Sequence, residues 1–277
     1  MSKGEMNQRG AVLVVVLWLV ALVAVSAGAF TTMVRLESQR TRNMVEAAIA
    51  RAWLDAGLAH AVARLVHPDP AVRWLTDGRP YWVEETGGRL TVRIMAEDGR
   101  LDLNRASPER LTAVIGAVLK DSGQRLADAI LALRNRRPLP TVQALAGLRE
   151  LSAEDYGELF PLVTVHNALP QGGVSVRTAP MSLLQAWPGL TSQDLEAVKL
   201  WRSAPGQDVP TDRRQRWIMA GLVIDSEPEV FTVQVEVATD DAVRSSAQAV
   251  LWIPPKEPAA FRILEWREPA PAEGRSG

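Results

Sequence analysis

Three histidines (His60, His67 and His166) and the absence of cysteine set the first limits on chemistry. Thiol nucleophiles, disulfides and cysteine-based zinc sites are excluded. A multi-histidine metal site would need almost every histidine in the chain, and His60 and His67 lie on or just after a helix well before His166. No G-x-S-x-G, H-E-x-x-H, P-loop or dinucleotide fingerprint occurs. His166 follows an apolar, strand-like run and reads as a loop histidine. The remaining candidates are hard oxygen donors: Asp98, Asp102 and Asn104, and separately Asp240 with Asp241. Their spacing is not that of an EF-hand, and turn chemistry accounts for them equally well. The nine tryptophans are scattered rather than grouped into a platform. Trp18 suits a membrane helix, and Trp53, Trp82, Trp187 and Trp252 suit core positions.

No catalytic set emerges, so the elements carry the argument. The chain has 277 residues, 47% of them hydrophobic, and a formal net charge of -1. That is ample material for a core and too little positive charge for a protein built to coat nucleic acid. Residues 11–30 are apolar apart from Ser26 and small residues. At about 1.5 Å per residue, such a helix spans the roughly 30 Å hydrocarbon core. Lys3 and Arg9 precede it and favour a cytoplasmic N-terminus, although Arg35, Arg40 and Arg42 follow it. A secretory signal cut near Ala27-Gly28-Ala29 and an uncut anchor are the simple alternatives. The pattern does not break after Phe30. Val45, Ile49, Ala52, Ala56, Ala59, Ala63 and Val66 recur at helical spacing with no proline before Pro68. One continuous helix over residues 12–66 is expected, amphipathic in its second half.

Beyond a turn-rich link at 68–80 the period becomes two. Strands are expected at 81–86 and 89–96, joined at Gly87-Gly88, with Leu90, Val92 and Ile94 on one face. Phe231, Val233, Val235 and Val237 alternate in a third strand, and residues 247–253 form a fourth. Between these pairs lies a helical region with an internal repeat. The run Leu101-Asp102-Leu103-Asn104-Arg105-Ala106-Ser107-Pro108-Glu109-Arg110-Leu111 matches Val174-Ser175-Val176-Arg177-Thr178-Ala179-Pro180-Met181-Ser182-Leu183-Leu184 without a gap, and Gly116 falls opposite Gly189. Ser107 or Thr178 can cap the helix that follows. Pro188-Gly189, and Ala146-Gly147-Leu148, have the character of helix-hairpin-helix turns.

A positive tail, Gly10-Ala11 and an apolar helix running into an amphipathic one resemble the type IV pilin-like signal. The resemblance implies prepilin-peptidase cleavage between Gly10 and Ala11 and N-methylation of Ala11. The family's usual fifth mature residue is glutamate, whereas here it is Val15. Its absence resembles the K-type minor pseudopilins of type II secretion (the GspK family), and the layout from Gly10 to about Trp266 is similar to theirs. That family implies an α+β fold: a pilin-like long helix packed on a small antiparallel sheet, with an inserted all-helical domain of helix-hairpin-helix-like repeats.

On this basis the expected divisions are a leader (1–10), the membrane and amphipathic helix (11–66), the first part of the sheet (67–103), the inserted domain (104–225), the second part of the sheet (226–267) and a disordered tail (268–277). The function implied is assembly at the pseudopilus tip, without catalysis. The expected partners are I- and J-type minor pseudopilins, with an H-type subunit as a further candidate, together with the peptidase and the inner membrane. Small residues Ala21, Ala24 and Gly28 permit close helix packing. No cofactor is required; the resemblance also implies calcium as a ligand, with no readable ligand set. The alternatives are a type IV pilus minor pilin-like protein and a membrane-anchored periplasmic DNA receptor. Nucleic acid is not expected, because the turn at Pro188-Gly189 has Thr191 where a phosphate-gripping hairpin has a second glycine. The cluster Arg134, Arg136 and Arg137 reads as a solvated face.

Overall fold

The computed structural model describes residues 3–204, 208–239, 244–255 and 261–268, with side chains described from Val16 onward except at positions 24 and 31. The chain forms two compact units, one ending at Trp53 and the other beginning at Leu54. Helix α1 (Lys3–Leu65) runs through both without a break. In the first unit Leu17, Trp18, Leu19, Leu22 and Phe30 are all exposed. The Ser26 hydroxyl donates to the Leu22 carbonyl and the Thr32 hydroxyl to that of Ala29, each at 2.8 Å. These polar groups are therefore satisfied within the helix, as hydrocarbon demands. Among the described residues this is the one helix long and apolar enough to cross a membrane.

In the second unit the last turns of α1 bury Leu54, Leu58, Ala61 and Val62, a spacing that lines one helical face. That face lies on an antiparallel sheet of strands β1 (Asp77–Glu85), β2 (Gly88–Ala96), β7 (Val230–Thr239), β8 (Arg244–Trp252) and β9 (Arg262–Arg267), in that spatial order. Leu90, Val92 and Ile94 pair with Val237, Val235 and Val233, and all six are buried. Each such side chain contributes about 1.5–3 kcal/mol of apolar transfer. Gly57 lets the helix approach closely, since a Cβ there would stand 2.4 Å from the Val235 side chain.

Several expectations shift. Glu85 pairs with Gly88, so the hairpin turn is Thr86-Gly87, and Gly87 rather than Gly88 takes the left-handed backbone (φ +94°). Strand β1 begins at Asp77 and includes Pro80, which the edge position and a register shift between Asp77 and Pro80 allow. Trp82 is not in the core. It pairs with Thr91 on the face opposite Leu90 and is 65% exposed, whereas Trp187 is buried. Strand β9 has no alternation of buried and exposed residues and leaves no sequence signal.

Between β2 and β7 the chain builds two repeats. The first comprises β3 (Leu101–Asp102), α2 (Pro108–Leu119), α3 (Gly123–Arg136), α4 (Ala153–Leu159) and β4 (Val163–Thr164). The second comprises β5 (Val174–Ser175), α5 (Met181–Gln185), α6 (Ser192–Ser203), α7 (Thr211–Met219) and β6 (Leu222–Val223). Each is helical apart from a two-residue parallel ladder, β3 with β4 and β5 with β6. The gapless match stops soon after Leu111 and Leu184, because α2 has 12 residues and α5 has five. Gly116 is accordingly not a turn glycine. It sits inside α2 where α3 begins against it, and a Cβ on Gly123 would come within 2.6 Å of the Gly116 Cα. The first copy reverses at Lys120 (φ 45°) and the second at Gly189 (φ 87°). Ala146-Gly147-Leu148 lies at the end of a 3-10 helix, Val142–Gly147, rather than at a hairpin turn.

Candidate functional site

The repeats share more than sequence. The Leu103 amide donates to the Thr164 carbonyl and the Val176 amide to that of Val223, both at 2.8 Å. The Ala106 amide donates to the Asp102 carbonyl, and the Ala179 amide to that of Ser175. Asp102 Oδ1 accepts from the Asn104 and Arg105 amides, and Ser175 Oγ from the Arg177 amide. A guanidinium then fastens each turn. Arg134 Nη1 donates to the Leu103 and Ala106 carbonyls at 2.9 and 2.7 Å. Arg202 does the same for Val176, through Nε at 2.8 Å, and for Ala179 at 2.7 Å. Arg134 is thus a structural clamp, not part of a solvated basic face. Ser107 caps α2 by accepting from the Arg110 amide, whereas α5 has Pro180 at its cap and Thr178 turns elsewhere.

Thr178 turns to Asp98, in the 3-10 turn Glu97–Gly99 that joins the sheet to the repeats. Asp98 accepts from the Thr178 and Ser226 hydroxyls, each at 2.7 Å, and the Ser226 and Ser175 hydroxyl oxygens lie 2.7 Å apart. Glu97 accepts from Thr232 on β7 at 2.6 Å, from Thr164 on β4 and from Arg100 at 2.8 Å. Two adjacent buried carboxylates therefore hold different bodies: Glu97 ties the first repeat to the sheet, and Asp98 ties in the second. The Asn167 amide group donates to the Arg100 and Gly173 carbonyls at 2.8 and 2.9 Å, and its backbone amide to Asp102 Oδ2.

These bonds give Asp98 and Asp102 protein partners. Asn104 likewise spans the Leu139 backbone, at 2.8 and 3.0 Å. They are turn and junction residues. Asp240 and Asp241 lie outside the described residues. Among the described residues no group of three or more histidine or acidic side chains is arranged to hold a metal.

Burial pushes the Asp98 carboxyl above the usual carboxylate range; the Thr178 and Ser226 hydroxyls partly offset it and the Glu97 charge adds to it. A raised folded-state pKa means that folding favours the protonated form, so the contribution is present at low pH and lost as pH rises through the folded value. Asp98→Asn is therefore expected to raise the melting temperature at pH 7 and to flatten the decline in stability just above the carboxylate range. The part due to Asp102, also raised by burial, stays. Thermal melts of both chains between pH 4 and 8 check this, and a lower melting temperature throughout would show that the charge is needed.

At the second hairpin, Pro188 and Gly189 make the reversal and Thr191 opens α6. Asp194 completes a capping box, its Oδ2 accepting from the Thr191 amide and hydroxyl at 3.0 and 2.6 Å. Burial works to raise this carboxyl, but bonds from Thr191 and Trp217 and the Arg216 charge outweigh it and hold it low. An internal carboxylate thus fills the helix N-terminus where a phosphate would sit. Ala21 and Gly28 are exposed along α1. The side chains at Gly10, Ala11, Val15 and Ala24 lie outside the described residues.

No protein-family model matches the chain, and neither does any curated protein. Among solved structures, it superposes on a chain of the GspK-GspI-GspJ complex from the type 2 secretion system of enterotoxigenic Escherichia coli. The TM-score is 0.58 at 15% identity, over 84% of this chain and 100% of that one. The chain shares the fold of that chain. Within that fold, sequence reasoning found the helix, the sheet and the repeats. It missed Glu97, Arg100 and Arg202, because a buried acid or arginine looks like a surface one until its partners are known.

Proposed function

We propose that this chain is a K-type minor pseudopilin that works by assembly and performs no catalysis. The observation that carries this reading is the architecture: a pilin-like helix on an antiparallel sheet that is interrupted, between β2 and β7, by a two-repeat domain. A chain of the GspK-GspI-GspJ complex has the same fold. In the proposal the positive tail holds the precursor in the inner membrane, with the head in the periplasm. Prepilin peptidase cuts between Gly10 and Ala11, and Ala11 becomes the methylated N-terminus. The mature helix packs in parallel with I- and J-type helices, and Ala21, Ala24 and Gly28 let the backbones approach. An H-type subunit is a further candidate neighbour.

Val15 fits a subunit at the tip. A buried glutamate there would need a partner amine from a subunit above, and an unpaired charge in hydrocarbon is costly. The inserted domain supports the same place by its bulk, which would block stacking above it. The deciding experiment is N-terminal sequencing of the full chain expressed with and without prepilin peptidase. A peptidase-dependent start at Ala11 is expected. An uncut chain, or one cut near Ala29, would overturn the assignment and bring forward the membrane-anchored receptor reading.

A further inference from the structure

A cleft of 460 Å³ opens in the head between the start of β1 and the second repeat, lined by Leu75, Asp77, Arg79, Arg177, Lys199 and Arg202 among others. Its cations are not equivalent. Arg79 is neutralised by Asp77, its Nη2 and Nε lying 2.7 and 3.0 Å from the carboxylate. Lys199 is paired with Glu196 at 2.7 Å. Arg202 is largely sunk in the wall; burial pulls its pKa down to about 10. Its donors go to main-chain carbonyls and to Met181 Sδ, and the charge of Asp77 reaches it from beyond ion-pair distance. Arg177 is exposed, and its guanidinium lies 4.5 Å over the Trp201 ring. No described acidic side chain pairs with it either. Two guanidiniums without an ion-pair partner therefore share one concave site, and Asp77 on its wall is engaged with Arg79.

We propose that this cleft binds an acidic peptide segment of a partner protein, taking one aspartate or glutamate side chain on Arg177 and an apolar neighbour on Leu75. A guanidinium held flat on an aromatic shelf presents its edge to a carboxylate in the paired geometry that arginine favours. Arg202 behind it raises the local potential without competing for the ligand. Asp77 and Glu196 occupy Arg79 and Lys199, so the exposed cation left in the cleft suits a single carboxylate and not a phosphate backbone. Leu75 is 53% exposed and offers an apolar contact at the lip. Recognition is by side chains, because the register shift and Pro80 prevent continuous strand pairing along this part of the β1 edge. The proposal stands independently of leader processing and of the filament partners.

The test uses the full chain in uncharged detergent and a fluorescein-labelled, end-blocked Leu-Glu-Leu peptide, read by fluorescence polarisation. Saturable, salt-sensitive binding is expected, at least about tenfold weaker for the Leu-Gln-Leu peptide and for Arg177→Gln. Arg177→Lys should restore only part of it, and Arg136→Gln, on α3, should leave it unchanged. Near-UV circular dichroism of each variant verifies the fold. Equal binding of the two peptides, no effect of Arg177→Gln in a folded chain, or no saturation by about 1 mM peptide would overturn the proposal. So would Arg177-dependent binding of an oligonucleotide or of anionic lipid vesicles in preference to the peptide.

Discussion

Arg100→Leu is expected to lower the unfolding free energy of the head by about 3–5 kcal/mol, the cost of removing one member of a buried ion pair. Its side chain is 5% exposed and that of Glu97 only 1%. The guanidinium donates to Glu97 at 2.8 Å and to the Phe160 and Pro161 carbonyls at 2.5 and 3.2 Å, and lies 5.8 Å from the Phe160 ring centre. Leucine restores none of these bonds. Glu97 would keep only the Thr164 and Thr232 hydroxyls, too little for a charge excluded from water. Adding Glu97→Gln to Arg100→Leu should recover part of the loss, because the carboxylate stranded by the single variant is then neutral. Urea unfolding of the full chain in detergent, followed by near-UV circular dichroism, measures both. A cost below about 1 kcal/mol for the single variant would mean that water already reaches this junction.

What the sequence reveals and conceals follows from the range of each interaction. Leu90, Val92 and Ile94 announce their strand because alternation is a local property and one face is buried along its length. The hairpin was misplaced by one residue because Gly87 and Gly88 are interchangeable in composition, while only the pairing of Glu85 with Gly88 tells which of them turns. The repeat is visible from Leu101 to Leu111 because an extended pair, a turn and a helix start need the same residue types in each copy. It fades where α2 and α5 differ in length, although the three-dimensional likeness continues. Asp98 conceals its role at the junction because an acid near glycine and asparagine looks like a loop acid. Its partners, Thr178 and Ser226, are distant in sequence, and nothing local marks them. Trp82 shows the converse: its size favours a core, but its register on β1 sends it to the open face.

Arg134 and Arg202 carry the hidden half of the repeat, and they yield the second large effect. Each satisfies two main-chain carbonyls in the turn that opens its own copy, from a helix that follows at a different distance along the chain. Methionine at either place keeps much of the buried stem and removes every donor. Each orphaned carbonyl costs about 1–3 kcal/mol, so Arg134→Met and Arg202→Met should each destabilise by roughly 2–4 kcal/mol. Lysine is a poor substitute because its compact ammonium lacks the fork that spans two acceptors. The two arginines share no acceptor, so the costs should add in the double variant to within about 0.5 kcal/mol. Hydrogen exchange distinguishes a clamp local to each repeat from a single cooperative core. Arg202→Met should accelerate exchange at the Val176 and Ala179 amides and spare those of Leu103 and Ala106, while Arg134→Met should do the reverse. If either variant opened both pairs alike, the repeats would unfold as one body, and the clamps would be redundant parts of a shared core.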